Sequence, residues 1–293
     1  MRSFRIVMFI SALFGIAACA PSNSSLNDLS SVSGESIIDG TRVNTRPTTA
    51  SKSIVYLELL NEHGQEISYC TAALIGPNTV LTAAHCFDDN LVRHYTSFNV
   101  VFENQVTSSW GPRVARRGVA SLSHPKYNTE RSKKPYAYDH DIAVASFAGD
   151  FPKGFATVKM DSDASANYAG LSVYVYGFGR FKDYVGDDSD FGRSGGTGLL
   201  RKGVMQIDLE YTKFADRYFT SVASETFLCQ GDSGGPQFYH ENGVLKVIGV
   251  NSASTGIILE NGRQTCRGPS QVTKVAPFYT WLSSAQKKLS GRN

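Results

Sequence analysis

The chain has 293 residues, 41% of them hydrophobic and 19% charged, which is enough apolar material for a sizeable core and too much for a disordered chain. Lys and Arg number 29 against 26 Asp and Glu, and a formal charge of +3 gives no electrostatic case for nucleic acid or for a polybasic membrane surface. The length suits one or two domains at about 150 residues each, and an all-β fold can use about 250 residues as a single unit.

The chain opens with Arg2 and Arg5, followed by the apolar run Ile6 to Ile16 in which Ser11 is the one polar residue. A helix of that length spans about 16 Å, well short of a hydrocarbon core of about 30 Å, so the run reads as a secretory signal over residues 1–18 rather than a membrane anchor. No other run approaches the ~18 apolar residues of a spanning helix. The stretch Ile16-Ala17-Ala18-Cys19 resembles the lipobox of bacterial lipoproteins, which implies a lipid on Cys19 as the new N-terminus. The alternative is ordinary cleavage near Ala18 with a free thiol. Residues 19–36, rich in Ser, Asn and Gly and without periodicity, read as a flexible tether.

From Ile37 onward, short apolar runs alternate with turn clusters. They include Ser53 to Leu60, Ala72 to Ile75, Val80 to Leu81, Asn99 to Phe102, Leu171 to Tyr176, Val204 to Leu209 and Val244 to Val250. With 27 Gly, 14 Tyr and 17 Phe, and no repeating βαβ spacing, the expectation is antiparallel strands in one or two barrels or sandwiches. Ala276 to Leu289 reads as the one helix, with Pro277 in its first turn, Phe278, Trp281, Leu282 and Ala285 on one face, and Lys287 and Lys288 at its negative end. Phe181 to Gly196 is a Gly-rich interruption. Its Asp187, Asp188 and Asp190 lack the downstream Glu of a calcium loop, so it reads as solvated.

Three motifs carry chemistry: Thr82-Ala83-Ala84-His85-Cys86, Asp139-His140-Asp141-Ile142-Ala143 and Gly231-Asp232-Ser233-Gly234-Gly235-Pro236. A serine hydroxyl is a weak nucleophile at neutral pH. It needs a base to take its proton, and that base needs a carboxylate to fix its tautomer. Glycine-rich backbone around Ser233 leaves N–H groups available to a developing oxyanion. There is no H-E-x-x-H and no paired C-x₂-C spacing, so no metal and no cofactor are expected.

These motifs, in the order His, Asp, Ser, resemble those of the chymotrypsin/trypsin-like serine peptidases over residues 37 to about 285. Ile37-Ile38-Asp39-Gly40, His124-Pro125-Lys126-Tyr127, Gly177-Phe178-Gly179, Val272 to Val275 and Trp281 are further points of likeness. The resemblance implies two six-stranded antiparallel β-barrels, about 37–155 and 156–275, a C-terminal helix, and a site in the cleft between the barrels. It implies Ser233 as nucleophile, His85 as general base and acid, and Asp141 as orienting carboxylate, with the N–H groups of Gly231 and Ser233 as the oxyanion hole. Asp139 is a rival carboxylate, and the family's spacing to the Ile-Ala strand selects Asp141. Ser252 matches a serine beside the substrate and the triad Asp, and Ser254 lies on the same wall.

In the family, a cut before the Ile frees an ammonium that pairs with the Asp before the catalytic Ser, here Ile37 with Asp232. The expectation is therefore a zymogen cut between Ser36 and Ile37. No Arg or Lys precedes that bond, which disfavours a trypsin-like activator and leaves self-activation open. The base of the specificity pocket falls at Phe227, which has no charge to attract Arg or Lys. A phenyl ring on the floor suggests a shallow apolar site for small residues.

The five cysteines then resolve by resemblance into Cys70–Cys86, closing the His loop, and Cys229–Cys266, across the specificity pocket, with Cys19 left for lipid. Cleavage at Ile37 would both switch the enzyme on and release it from the membrane. The function expected is an exported endopeptidase on protein or peptide substrates. It is expected to act as a monomer, anchored by lipid in the periplasm or at the cell surface, or released after activation. The alternative is a catalytically silent homologue acting as a binding module.

Overall fold

The computed structural model describes residues 37–92, 94–106, 113–128, 139–181, 197–208, 215–256 and 265–291. The signal segment 1–18, the tether 19–36 with Cys19 and Ser36, and residues 182–196 of the acidic loop lie outside them.

After β1 (Thr41–Arg42), a short helix α1 (Thr49–Ser53) starts on a reciprocal cap. The Ser51 N–H donates to the Thr48 hydroxyl oxygen, and the Thr48 N–H donates to the Ser51 hydroxyl oxygen. The β-branched run that follows becomes β2 (Ile54–Leu60), the first strand of a closed barrel with β3 (Glu66–Gly76), β4 (Thr79–Thr82), β5 (Ser97–Val101), β6 (Ala115–Ser123) and β7 (Ala143–Phe147). Around the barrel the order is β2-β3-β4-β7-β6-β5, and every pairing is antiparallel. Closure leaves no free edge, and the enclosed side chains pack as one apolar cluster that includes Leu57, Leu74, Leu81, Val100, Val144 and Phe147. Phe102 meets Phe147 and Phe155 edge to face, with centroids 5.6 and 5.0 Å apart.

The second half contributes β8 (Lys159–Met160), β9 (Ser172–Gly177), β10 (Arg201–Gln206), β11 (Arg217–Phe219), β12 (Pro236–Glu241), β13 (Val244–Ser254) and β14 (Ser270–Lys274). They form an eight-stranded sheet ordered β1-β10-β9-β12-β13-β14-β11, with β8 parallel to β13. A single bridge, Ile207 to Thr220, joins the ends of β10 and β11. The Asp208 N–H donates to the Phe219 carbonyl at 2.8 Å and the Ser221 N–H to the Gln206 carbonyl at 2.7 Å. Six strands thus come round on themselves as well, and β1 and β8 are additions outside that ring. Its interior is a second apolar cluster holding Ile37, Val173, Val175, Met205, Tyr218, Ile248 and Val272.

The C-terminal helix starts later than its sequence pattern suggests. Ala276–Phe278 is one 3-10 turn containing Pro277, and α2 runs from Tyr279–Ser290. Leu282, Ala285 and Leu289 are buried, and the Gln286 amide donates to the Ile75 carbonyl at 2.7 Å, fastening α2 to the first barrel. The sequence runs gave β2, β5, β9 and β13 within a few residues. β6 (ARRGVASLS) and β12 (PQFYHE) carry too little apolar alternation to be read in isolation, and they become strands because they complete the barrels.

Gly118 on β6 lies against the Phe98 ring, and a Cβ there would run into the ring carbons. Gly118→Ala is expected to cost about 1–3 kcal/mol by overpacking. Urea denaturation should show that loss, and should show most of it recovered when Phe98 is shortened to Leu in the same chain.

Candidate active site

β4 ends at Thr82 and the chain turns at once into the 3-10 segment Ala84–Phe87, which carries His85. Cys86 in that segment is disulfide-bonded to Cys70 on β3, so the turn is fixed to its own barrel. Asp141 comes from the segment just before β7. The residue ahead of it, His140, has φ of +56°, in the left-handed region, and the Ile142 N–H donates to the His140 carbonyl at 2.8 Å. The His140 ring stacks on His124, centroids 5.1 Å apart and 11° from parallel. Burial lowers the His124 pKa, with His140 and Lys126 adding to the effect. This tight, strained turn delivers the Asp141 side chain inward.

The Asp141 carboxylate is fully buried. Its Oδ1 accepts the His85 backbone N–H at 2.8 Å, and its Oδ2 lies 2.7 Å from His85 Nδ1 and accepts the Ser252 hydroxyl at 2.6 Å. An ionised carboxylate accepts only, so the proton of that pair belongs on Nδ1 and Nε2 carries the lone pair. Asp139 takes a different course. It is half-exposed and pairs with Arg217 on β11, which also holds Asp216 at 3.0 Å. The structure therefore sets Asp141, not Asp139, against His85.

His85 and Ser233 line the same cleft of about 700 Å³, together with Tyr69, the Cys70–Cys86 disulfide, Leu228 to Asp232, Ser252 to Ser254 and Cys266. The Ser233 turn is tied to both barrels. From the first, the Thr71 N–H donates to the Ser233 carbonyl and the Thr71 hydroxyl to the Gly231 carbonyl, each at 2.8 Å. From the second, the Gly234 N–H donates to the Asn251 carbonyl at 2.8 Å and the Asn251 N–H to the Gly235 carbonyl at 2.9 Å. Gly231 has φ of +95° and packs on the Tyr69 ring, so a side chain at this position is barred twice over. Burial and the Asp232 charge push the Tyr69 phenol up, so it stays neutral beside the turn.

Asp232 borders the cleft, while its carboxylate lies in the second barrel. Its carboxylate accepts the Gly179 and Cys229 N–H groups, both at 2.9 Å, and burial pushes its pKa up to about 7 against these bonds and the nearby Arg201. Gly177 and Gly179 lie so close that a Cβ on either would strike this carboxylate. Ile37 is buried in the same barrel, and Ile38 bridges to Phe227, whose N–H donates to the Ile38 carbonyl at 3.1 Å.

Phe227 is not among the residues that line the cleft. Its ring packs with Ile38 and the Cys229–Cys266 disulfide, and the Arg267 guanidinium lies over it, 5.7 Å from the centroid, while bonded to Asp39. The ring is a support beneath the pocket, and the cleft wall at that level is Leu228 with the disulfide. The three sulfur and imidazole groups of Cys70, His85 and Cys86 lie together, but the two sulfurs are spent on one disulfide and offer no thiolate to a metal. Among the described residues, no helix is long and apolar enough to cross a membrane. Thr71, Tyr69 and Asn251 were not found by reading motifs. The one signal for Asn251 was a lone amide interrupting the apolar run that leads to Ser252.

The pattern of the Trypsin family matches residues 42–282. Chymotrypsin-like elastase family member 1 of Canis lupus familiaris is 25% identical over 264 residues, covering 85% of this chain and 91% of that protein. Protein masquerade of Drosophila melanogaster is 27% identical over 246 residues, covering 77% of this chain but 21% of its own length. The suppressor of tumorigenicity 14 protein homolog of Bos taurus is 25% identical over 234 residues, 73% of this chain and 25% of that one.

Ser252→Ala removes one of the donors to a fully buried carboxylate. A stability loss of about 1–3 kcal/mol is expected, measurable by chemical denaturation. Ser254→Ala, whose hydroxyl donates to the Cys266 carbonyl at a long 3.4 Å, should cost far less.

Proposed function

The chain belongs to the trypsin family of serine peptidases, and from that premise we propose that it is a serine endopeptidase working through Ser233, His85 and Asp141. The observation that carries this reading is the fully buried Asp141 carboxylate 2.7 Å from His85 Nδ1, with His85 and Ser233 on one cleft. In the proposed reaction His85 Nε2 takes the Ser233 proton as Oγ bonds to the scissile carbonyl carbon. The resulting oxyanion is received by the N–H groups of Gly231 and Ser233. Collapse breaks the C–N bond, and the imidazolium gives its proton to the leaving amine. Water, activated by the same imidazole, then frees the acid and restores Ser233. Asp141 keeps its charge throughout and stabilises the imidazolium. No cofactor is called for.

Substrates in this reading are proteins or peptides with an uncharged residue on the acyl side of the scissile bond. Support comes from a cleft wall of Leu228, Ser252, Ala253 and Ser254, with no acidic group taking the place of Phe227. A small or medium apolar side chain fits such a wall, and profiling on a peptide library should show poor cleavage after Arg and Lys. Efficient cleavage there would overturn the specificity.

Activation is proposed to follow a cut between Ser36 and Ile37. In the uncut chain the Ile37 nitrogen is a neutral amide, and among the described residues two backbone donors and Arg201 offset the burial of Asp232. A freed ammonium supplies the missing opposite charge. Residues 1–18 are proposed as an export signal and 19–36 as a tether carrying lipid on Cys19, so that the same cut releases a monomeric enzyme from its membrane. Intact mass and N-terminal sequencing of cell-derived protein test lipid and cut together.

A fluorophosphonate probe should label the cut enzyme and fail to label Ser233→Ala. A correctly cut chain that stays unlabelled would favour the silent binding module. The uncut chain carries a pH signature as well. Its Asp232 pKa, near 7 in the fold against an ordinary 3.8, means that the fold prefers the protonated acid. That stabilising contribution is complete below about 3.8 and is lost as pH rises through about 7. The stability of uncut Asp232→Asn relative to the uncut parent should therefore grow between pH 4 and 7. After the cut, the ammonium should reverse the comparison and leave the parent the more stable of the two.

A further inference from the structure

The second barrel contains a line of polar side chains in what is otherwise an apolar interior. The Tyr218 hydroxyl on β11 donates to Gln237 Oε1 on β12 at 2.9 Å, and the Gln237 amide donates to Asn251 Oδ1 on β13 at 3.1 Å. The Asn251 amide then donates to the Asp232 main-chain carbonyl at 3.1 Å. Tyr218, Gln237 and Asn251 are each no more than 1% exposed, with Val175, Ile248, Val250 and Val272 among the buried residues of the same sheet. Space for the phenol is made by Gly249, where a Cβ would strike the Tyr218 hydroxyl. Apolar side chains would fill this volume without any need for matched donors, so a fully paired chain across three strands points to a directional task rather than a packing one.

We propose that Tyr218, Gln237 and Asn251 are positioning residues that set the oxyanion-binding N–H of Ser233. In a trans peptide the carbonyl and the N–H lie in one plane and point in opposite directions. The carbonyl of the 232–233 peptide accepts the Asn251 amide, so the Ser233 N–H of that peptide faces away from Asn251, at the margin of the cleft that Ser233 and Asn251 both border. The Gly235 N–H also donates to this carbonyl, at 3.0 Å, but it belongs to the same turn and moves with it. Asn251 is the side chain that refers the peptide plane to the barrel wall. The Asp232 carbonyl can only accept, so it sets the Asn251 amide N–H₂ toward itself and the Asn251 oxygen toward the Gln237 N–H₂; the Tyr218 hydroxyl holds Gln237 in place by donating to its Oε1. The oxyanion donor at the cleft is thereby oriented by a strand, β11, on the far side of the barrel.

This inference rests on the serine peptidase reading, and the test separates the two. The enzyme cut before Ile37 is compared with its Asn251→Leu and Tyr218→Phe variants for kcat, KM and affinity for a peptide aldehyde, which forms a tetrahedral adduct on Ser233. For Asn251→Leu, kcat and aldehyde affinity are expected to fall together by about tenfold or more, with KM within about twofold of the parent. Tyr218→Phe, which removes one oxygen and keeps the ring, should show a smaller loss with the same split, and it carries the test if Asn251→Leu does not fold. Unchanged kcat in the folded variants, or a loss that appears in KM alone, overturns the proposal while leaving the peptidase reading intact. A parent enzyme that neither turns over peptides nor reacts with the fluorophosphonate overturns both.

Discussion

A negative charge with no access to water is the constraint on which this molecule turns. The Asp141 carboxylate is fully buried, and it is tolerable only because donors reach it from both halves of the chain: His85 from the first barrel and Ser252 from β13 of the second. The two halves must therefore meet at this point, and the groups that satisfy the carboxylate are the ones that border the cleft. Stability and chemistry draw on the same bonds here. The desolvation that makes Asp141 costly also makes it a firm holder of one imidazole tautomer.

The Ser233 turn obeys a similar rule. Between them, Thr71 in the first barrel and Asn251 in the second bond to the main chain of residues 231, 232, 233, 234 and 235, so the turn belongs to neither barrel alone. Gly231 at positive φ and the close approach of its Cα to Tyr69 explain why the loop is built from small residues. The Asp232 side chain turns into the second barrel, where burial outweighs two backbone donors and Arg201 and raises its pKa to about 7. The neighbouring residues of one turn thus face two environments, one an open cleft and the other a buried interior.

The specificity side of the cleft is where residue identity and residue position part company. Phe227 falls at the expected place in the chain, yet its ring is occupied with Ile38, the Cys229–Cys266 disulfide and Arg267. What borders the cleft is the next residue, Leu228, with the disulfide itself. A ring counted from the sequence as a pocket floor lies outside the cleft lining, taken up by Ile38, the disulfide and the Arg267 guanidinium.

Much of this was legible in the residues. The short β-branched and aromatic runs announced β2, β5, β9 and β13, since alternation and turn residues are local properties. The three motifs fixed which His, Asp and Ser to examine, because a nucleophile, base and carboxylate are chemical types that a sequence displays openly. Contacts made over long separations were not legible. β6 and β12 have weak patterns and exist as strands because barrels must close, and α2 begins at Tyr279, after the 3-10 turn that contains Pro277. The resemblance selected Asp141 over Asp139 from spacing; the physical reason, the strained turn at His140 and the pairing of Asp139 with Arg217, 78 residues away, belongs to the fold. The Tyr218–Gln237–Asn251 line needed β11 brought round to face β12 and β13. The sequence by itself determined which chemical groups this protein owns and roughly where its strands lie, because those follow from local composition. Which carboxylate is buried, which ring supports the cleft and which amide reaches the Asp232 carbonyl were decided only by the tertiary structure. Burial and hydrogen-bond direction belong to the assembled barrels, not to any stretch of chain.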